Sequence, residues 1–380
     1  NTLTKKKETF VPVKKDHVGI YSCGPTVYSY QHIGNLRTSV SNDLLKRLFL
    51  YNGYSVNHIT NVTDVGHLTS DADTGEDKIE RAAAQLGRSA KEVSTFYFSA
   101  FKDDLKKLNV LQPDMWPKAS EHIKEMIALI KTLEKKGYTY KTSDGIYFDT
   151  SKFSDYGKLA GLKKEGLKAG KRVAIGEKKH KTDFALWKFS EKPGTRQQEW
   201  ESPWGTGFPG WHIECSVMAT KYIGDQIDIH TGGQEHIPVH HTNEIAQSEA
   251  GFGKKPWVKY WVHFAWLLFQ GEKISKSRGG SYLLADLEEE GYSPMALRYL
   301  YLTTHYKKPL NFSFDVLDYA QKSYERLKNI ISEIKKFHDK KNKKNIELAK
   351  KQFVEIINDD LNSSKALAYL WDILRDDRLN

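Results

Sequence analysis

The period of the apolar positions changes several times along the chain, and the changes mark its elements. Residues 18–22 alternate, are β-rich and lead into Cys23-Gly24-Pro25-Thr26. A helical period follows through Leu36, Val40, Leu44, Leu45 and Leu48, and it stops at Asn52-Gly53. Residues 54–59 read as the next strand. Strand, glycine-containing turn, helix and strand make a βαβ opening, which predicts a mostly parallel sheet.

Residues 71–77 read as an acidic loop and 78–136 as mostly helix, with Ile123, Ile127, Ile130 and Leu133 on one stripe. Residues 146–149 return to strand. The Trp-, Pro- and Gly-rich stretch 187–210 predicts irregular chain around a pocket. Residues 226–230 predict a strand ending in Thr231-Gly232-Gly233, and a helix begins near His240. Everything after Phe314 reads as helix, in three pieces: 316–337, 346–358 and 363–374. The expected fold class is α/β: a Rossmann-like, parallel-sheet catalytic domain over residues 1–305, with helical insertions at about 78–185, then an all-α helical bundle over 306–380.

Composition narrows the class. With 39% apolar and 28% charged residues, the chain suits a globular protein with a real core. No apolar run approaches the ~20 residues a membrane span needs, and no secretion signal is visible. Two cysteines 192 positions apart do not make a disulfide framework, so a reducing, cytoplasmic setting is expected. The net charge of +10 favours an anionic partner. It is concentrated: residues 162–181 hold eight basic and two acidic residues, and 321–351 hold eleven and four. Two separated basic patches suit a long polyanion better than a small phosphate, although a solvated face would also carry such runs.

Six of the 14 histidines fall between His212 and His263, close to Cys215. On a helix, His240 and Glu244 stand at i and i+4 and reach the same side. With the thiolates of Cys23 and Cys215 they form a plausible tetrahedral zinc set. Two buried structural cysteines beside a core histidine would leave the same pattern. At the head of the first helix, His32-Ile33-Gly34-Asn35 offers a donor and open amides to a phosphate. Far along the chain, Lys273-Ile274-Ser275-Lys276-Ser277 is a basic hydroxyl-bearing loop whose lysines could neutralise a pentavalent phosphate and its leaving group. No Walker loop, nucleophile elbow or H-E-x-x-H motif occurs.

Taken in order, Cys23-Gly24-Pro25-Thr26-Val27-Tyr28, His32-Ile33-Gly34-Asn35, Gly210-Trp211-His212-Ile213-Glu214-Cys215, Asp228-Ile229-His230-Thr231-Gly232-Gly233, the stretch from His240 to Glu249 and the 273–277 loop resemble the cysteinyl-tRNA synthetases. These are class I enzymes whose "HIGH" and "KMSKS" signatures build the ATP site on a Rossmann-like sheet. Asn35 replaces the second signature histidine; an amide donates a hydrogen bond but carries no charge. Ile274 replaces methionine at an apolar anchor, a near-neutral change. Glu235 stands where the family usually has aspartate.

The resemblance implies a cysteine–tRNA ligase using ATP with Mg²⁺, L-cysteine and tRNA(Cys), expected to act as a monomer. It implies one zinc per chain on Cys23, Cys215, His240 and Glu244, at the base of the amino-acid pocket. Catalytic roles fall on His32, Asn35, Lys273 and Lys276. ATP contacts fall on Gly24, His32, Gly34, Asn35, His230, Gly232 and Lys276, and amino-acid contacts on Thr63, Asp64, Trp211 and His230. A capping role for Asp64 and a core role for Trp211 compete with these. Residues 306–380 would contact the tRNA stem, and most or all of the family's anticodon-binding module is expected to be lacking. Two alternatives remain: a small-molecule ligase joining activated cysteine to an amino-sugar, and a non-catalytic zinc-containing RNA-binding paralogue.

Overall fold

The computed structural model describes residues 1–65, 68–70, 74–162, 177–273, 281–334 and 343–375. In chain order the elements begin with β1 (His17–Ser22), α1 (Ile33–Tyr51), β2 (Ser55–Thr60), β3 (Leu68–Ser70), β4 (Thr74–Asp77), α2 (Lys78–Leu86), α3 (Ala90–Lys107) and α4 (Ile123–Lys135). Then come β5 (Thr139–Lys141), β6 (Gly145–Phe148), β7 (Phe184–Phe189), β8 (Gly207–Pro209), α5 (Ile213–Ile223), β9 (Ile227–Gly233), α6 (His240–Phe252) and β10 (Val258–Phe264). The rest is β11 (Leu267–Phe269), β12 (Glu272–Lys273), α7 (Leu284–Glu289), α8 (Pro294–Leu302), β13 (Leu310–Phe312), α9 (Phe314–Ile334), α10 (Lys343–Asn358) and α11 (Ser363–Ile373). None of these helices is long and apolar enough to cross a membrane.

The chain forms two compact units, each drawn from separate stretches. Asn1–Tyr30, Ser55–Phe101 and Pro113–Val262 make the first, and Gln31–Tyr54, Lys102–Gln112 and His263–Asn380 make the second.

In the first unit the strand order is β10-β9-β1-β2. β1 pairs in parallel with β2 and with β9, placing Ser22 opposite both Thr60 and Thr231. The parallel, Rossmann-like core expected from the opening pattern is therefore present. Both of these neighbours lie beside the chain as it leaves β1, so Cys23 emerges where the β1, β2 and β9 carboxyl ends converge, the usual ligand end of a parallel sheet. Gly24 makes this convergence possible. A Cβ there would stand 1.6 Å from the carbonyl oxygen of Asn61, while its N–H donates to Asn61 Oδ1 at 2.8 Å.

One continuous core includes Ile59, Met126, Leu129, Ile130, Leu133, Trp187, Met218 and Trp257. Three features depart from the sequence expectation. The acidic stretch before α2 contains a short antiparallel pairing of β3 with β4 rather than only loop. Residues 187–210 supply β7 and β8 of an antiparallel β5-β6-β7-β8 sheet. β7 (FALWKF) is largely buried on both faces, so it lacks the alternation that reveals a half-buried strand. Helix α5, which carries Cys215, was not legible for the same reason: its first seven residues are all buried.

The second unit packs α1 against α8 and α8 against α9. Its buried polar groups are paired. Asp43 of α1 accepts from Arg47 Nε at 2.9 Å, from the Leu111 N–H at 2.8 Å and from Arg298 of α8. Arg37 donates to the carbonyls of Ala265, Trp266 and Lys308 at 2.6–2.8 Å. Helices α9, α10 and α11 follow one another through the tail as the periodicity expects, and they share this unit with α1. The basic break over residues 335–342 lies outside the described residues.

Candidate active site and metal centre

Three chain segments of the first unit bring the expected metal set together. Cys23 follows β1, Cys215 lies on the first turn of α5, and His240 and Glu244 stand one turn apart at the start of α6. Their ligand atoms all lie within 4.8 Å of one another. Cys215, His240 and Glu244 are buried, and Cys23 is partly so. Cys215 Sγ stands 3.5 Å from His240 Nε2, and that nitrogen stands 2.9 Å from Glu244 Oε1. Glu244 Oε1 nevertheless makes no hydrogen bond among the described residues. The donor set, two sulfurs, one imidazole and one carboxylate, suits zinc.

The surroundings fix each ligand. His240 Nδ1 is 2.9 Å from His212 Nδ1, and the Trp211 ring stacks on His240 at 4.3 Å between centroids. His230 Nε2 lies 2.8 Å from Glu244 Oε2, and its Nδ1 lies 3.2 Å from the Thr231 carbonyl. Burial opposes a charge on His230, but Glu244 outweighs it and raises the pKa. Glu244 is held down to about 2 against burial, chiefly by His230 and His240. One Glu244 oxygen thus faces His230 and the other faces His240 and the shared point. This is the kind of outer support that orients metal ligands.

A second group overlaps the first: Cys23, His230, His241 and Glu244 also lie within 4.8 Å of one another. Both His230 nitrogens are already committed, to Thr231 and Glu244, so the chemistry favours the first group. Burial pushes His241 down to about 4, which leaves a neutral ring 3.2 Å from Cys23 Sγ. Burial raises both thiols. At Cys23 the neighbouring Cys215, His241 and His240 outweigh it and bring the pKa well below the ordinary thiol value, whereas Cys215 stays well above it. Gly232 allows this crowding, since a Cβ there would sit 2.6 Å from the His241 ring.

Around the amino-acid positions, Thr63 Oγ1 donates to Glu214 Oε2 at 3.1 Å and accepts from Asn61 Nδ2 at 3.0 Å. Burial pushes the Glu214 carboxyl, which lies under Thr63, well above its ordinary pKa. Asp64 spends both oxygens on Ser120, accepting from its N–H at 2.9 Å and its hydroxyl at 2.7 Å. Its carbonyl accepts from Gln198 Nε2 at 2.6 Å.

The positions associated with ATP are divided between the units. Gly24, His230 and Gly232 belong to the first; His32, Gly34, Asn35 and Lys273 belong to the second. His32 caps α1: its Nδ1 accepts from the Gly34 and Asn35 N–H groups at 3.1 and 3.3 Å. The amides expected to lie open are therefore engaged by the signature histidine itself, and its Nε2 is left to carry the proton. Lys273 rests 5.5 Å from the Trp266 ring centroid. Lys276 lies outside the described residues.

Sequence reasoning did not single out Tyr21, His212, His241, Ser120 or Glu214 for roles of their own. His212, Glu214 and His241 lay inside quoted motifs without a role, and nothing in the sequence pointed to Tyr21 or Ser120. Tyr21 is fully buried, its hydroxyl has no hydrogen-bond partner among the described residues, and it faces Cys215 and Cys23, which add to burial in raising its pKa.

Known proteins share both sequence and fold with this chain. Residues 9–322 match the family described as the tRNA synthetases class I (C) catalytic domain. Among solved structures, Mycobacterium tuberculosis methionyl-tRNA synthetase in complex with methionyl-adenylate is similar, with a TM-score of 0.68 at 13% identity, over 94% of this chain and 82% of that one. A putative arginyl-tRNA synthetase from Campylobacter jejuni gives 0.59 at 14% identity, over 96% and 85%. These two likenesses concern the fold, that of a class I synthetase. Cysteine–tRNA ligase 1 of Burkholderia lata is 49% identical over 99% of this chain and 79% of its own length. The cysteine–tRNA ligase of Treponema denticola is 44% identical over 99% and 81%, and that of Thermococcus onnurineus 42% identical over 98% and 78%. The chain belongs to the cysteine–tRNA ligase family of class I aminoacyl-tRNA synthetases.

Proposed function

We propose that this chain activates L-cysteine with Mg-ATP and passes the cysteinyl group to the 3′-terminal ribose of tRNA(Cys). In the first step a cysteine carboxylate oxygen bonds to the α-phosphorus and the bond to the bridging oxygen breaks, releasing pyrophosphate. In the second, a ribose hydroxyl attacks the carbonyl carbon, AMP leaves and the hydroxyl proton is lost. Neither step needs a protein nucleophile; positioning and charge neutralisation suffice.

The observation that carries the substrate assignment is the buried set Cys23, Cys215, His240 and Glu244 at the ligand end of the sheet. Zinc held by these residues would supply a soft coordination position that favours a thiolate over a serine hydroxyl. Apolar contacts alone would give only ~1–3 kcal/mol for so small a difference. Within the chain, His230 holds Glu244 in place and Trp211 walls the pocket over His240. Thr63, backed by Glu214, offers its hydroxyl to the substrate amine end. His32, tied through Nδ1 to its own helix, presents an Nε2–H donor to phosphate, and Asn35 adds an amide donor without charge. Lys273 and Lys276 neutralise the phosphates as charge develops. The tail helices from Phe314 onward, with Arg326 and Arg375 flanking Trp371, are read as contacts to the tRNA stem.

Lys276→Ala separates binding from catalysis, because the role proposed for Lys276 is to neutralise the departing pyrophosphate. Lys276→Ala is expected to slow adenylate formation by ~10²-fold or more while the KM for cysteine changes little. Pre-steady-state adenylate formation measures this, and an unchanged rate would remove Lys276 from the mechanism. The amino-sugar ligase reading would require the acceptor to be a small sugar. Supplying tRNA(Cys) or an amino-sugar to preformed cysteinyl-adenylate tells the two acceptors apart.

A further inference from the structure

Outside the metal pocket, the first unit carries an aromatic and cationic surface that the chemistry above does not use. Tyr30 lies at the far end of the loop that leaves Cys23. Its ring meets Phe96 at 6.0 Å and Tyr97 at 5.1 Å, both edge-on, and Phe96 meets Tyr97 edge-on at 5.2 Å. Despite these contacts Tyr30 remains 43% exposed and Phe96 44%. The Arg88 guanidinium stands 5.8 Å from the Phe96 ring centroid. On the same loop, the Lys78 ammonium stands 5.8 Å from the centroid of Tyr28. Edge-to-face packing holds the three rings against one another, and Tyr30 and Phe96 keep a large part of their surface exposed to a further partner.

We propose that this platform receives the unpaired 3′ end of the tRNA, with nucleobases stacking on Tyr30 and Phe96 while Arg88 and Lys78 meet the phosphates. The inference rests on the proposed function, which requires that end to come to this unit. Chemistry favours RNA over an apolar protein surface, because a cation accompanies the aromatic faces at Tyr28 and Phe96. Open rings interleaved with cations are how single-stranded nucleic acid is gripped without base-specific hydrogen bonds. The anionic preference of a chain carrying +10 agrees. Connectivity sets the reach: Tyr30 follows Cys23 by seven positions, so the platform lies within ~25 Å of the pocket even for a fully extended loop.

The test compares Tyr30→Ala/Phe96→Ala with the unaltered protein on two RNAs: whole tRNA(Cys), and the same RNA trimmed of its unpaired 3′ nucleotides. The double variant should bind whole tRNA about ten- to hundred-fold more weakly and bind trimmed tRNA as the unaltered protein does. Cysteine-dependent ATP–pyrophosphate exchange, which needs no tRNA, should be retained and shows that the variant is folded. If the double variant loses exchange, Tyr30→Leu and Arg88→Ala are compared in its place. Equal binding of whole tRNA by variant and unaltered protein overturns the proposal. So does equal weakening on both RNAs, or unchanged tRNA binding with a sedimentation shift, which would make the platform a self-association surface. Absence of cysteine-dependent exchange in the unaltered protein refutes the underlying function instead, and so is told apart from failure of the platform.

Discussion

Cys215→Ser and His240→Ala are each expected to yield a folded protein that has lost most of its zinc and, with it, most cysteine activation. Structural zinc sites bind with about 10–16 kcal/mol, so one of four ligands represents roughly 3 kcal/mol, a hundred-fold or more in affinity. Two of the neighbours are poor substitutes. Both nitrogens of His230 are engaged. Glu214, adjacent to Cys215, already accepts from Thr63. The fold should survive, because the hydrophobic core of the first unit extends well beyond the pocket. Metal analysis after dialysis, paired with thermal unfolding, reads both effects. Full zinc retention by both variants would remove these residues from the site.

Arg298→Ala should be among the most destabilising single changes in the second unit, at about 3 kcal/mol. Arg298 and Asp43 are both buried, and Arg298 also donates to the carbonyls of Leu108 and Asn109 at 2.9 and 3.1 Å. Its removal leaves a buried carboxylate with Arg47 and the Leu111 N–H as its remaining partners, together with the buried Leu108 carbonyl, which loses a donor, while the Asn109 carbonyl keeps Arg47. Arg47 moderates the loss but reaches Asp43 from a partly exposed position. Adding Asp43→Asn should recover part of the stability by removing the stranded charge. A shift of the urea midpoint with this recovery fits the account; an Arg298→Ala midpoint equal to the parent's would mean that the pair contributes nothing.

The parts of the structure that could be read in the sequence share a physical character. The βαβ opening was legible because the apolar residues of α1 recur at helical spacing and Asn52-Gly53 ends them, although β1 and β2 do not alternate in burial. Cys23 and Cys215 stood out as the only two cysteines, and His240 and Glu244 as an i, i+4 pair. Elements buried on every side gave no such signal: β7 and α5 are runs without period, and the helix that presents Cys215 was missed although the residue was found. The electrostatics were also hidden, because the charge on His230 depends on Glu244, fourteen positions away, and on Thr231 lying at its other nitrogen. The division into two units was not visible either, since α1 is joined with residues beyond 263, a non-local arrangement that no local pattern encodes.

ATP–pyrophosphate exchange by the purified zinc-loaded protein, run with cysteine, with serine and with no amino acid, tests the central claim most directly. Rapid exchange with cysteine, and only background with serine or none, is the expected result, because a soft metal position backed by Cys23, Cys215, His240 and Glu244 distinguishes sulfur from oxygen. Equal exchange with serine and cysteine, or none with either, would contradict it.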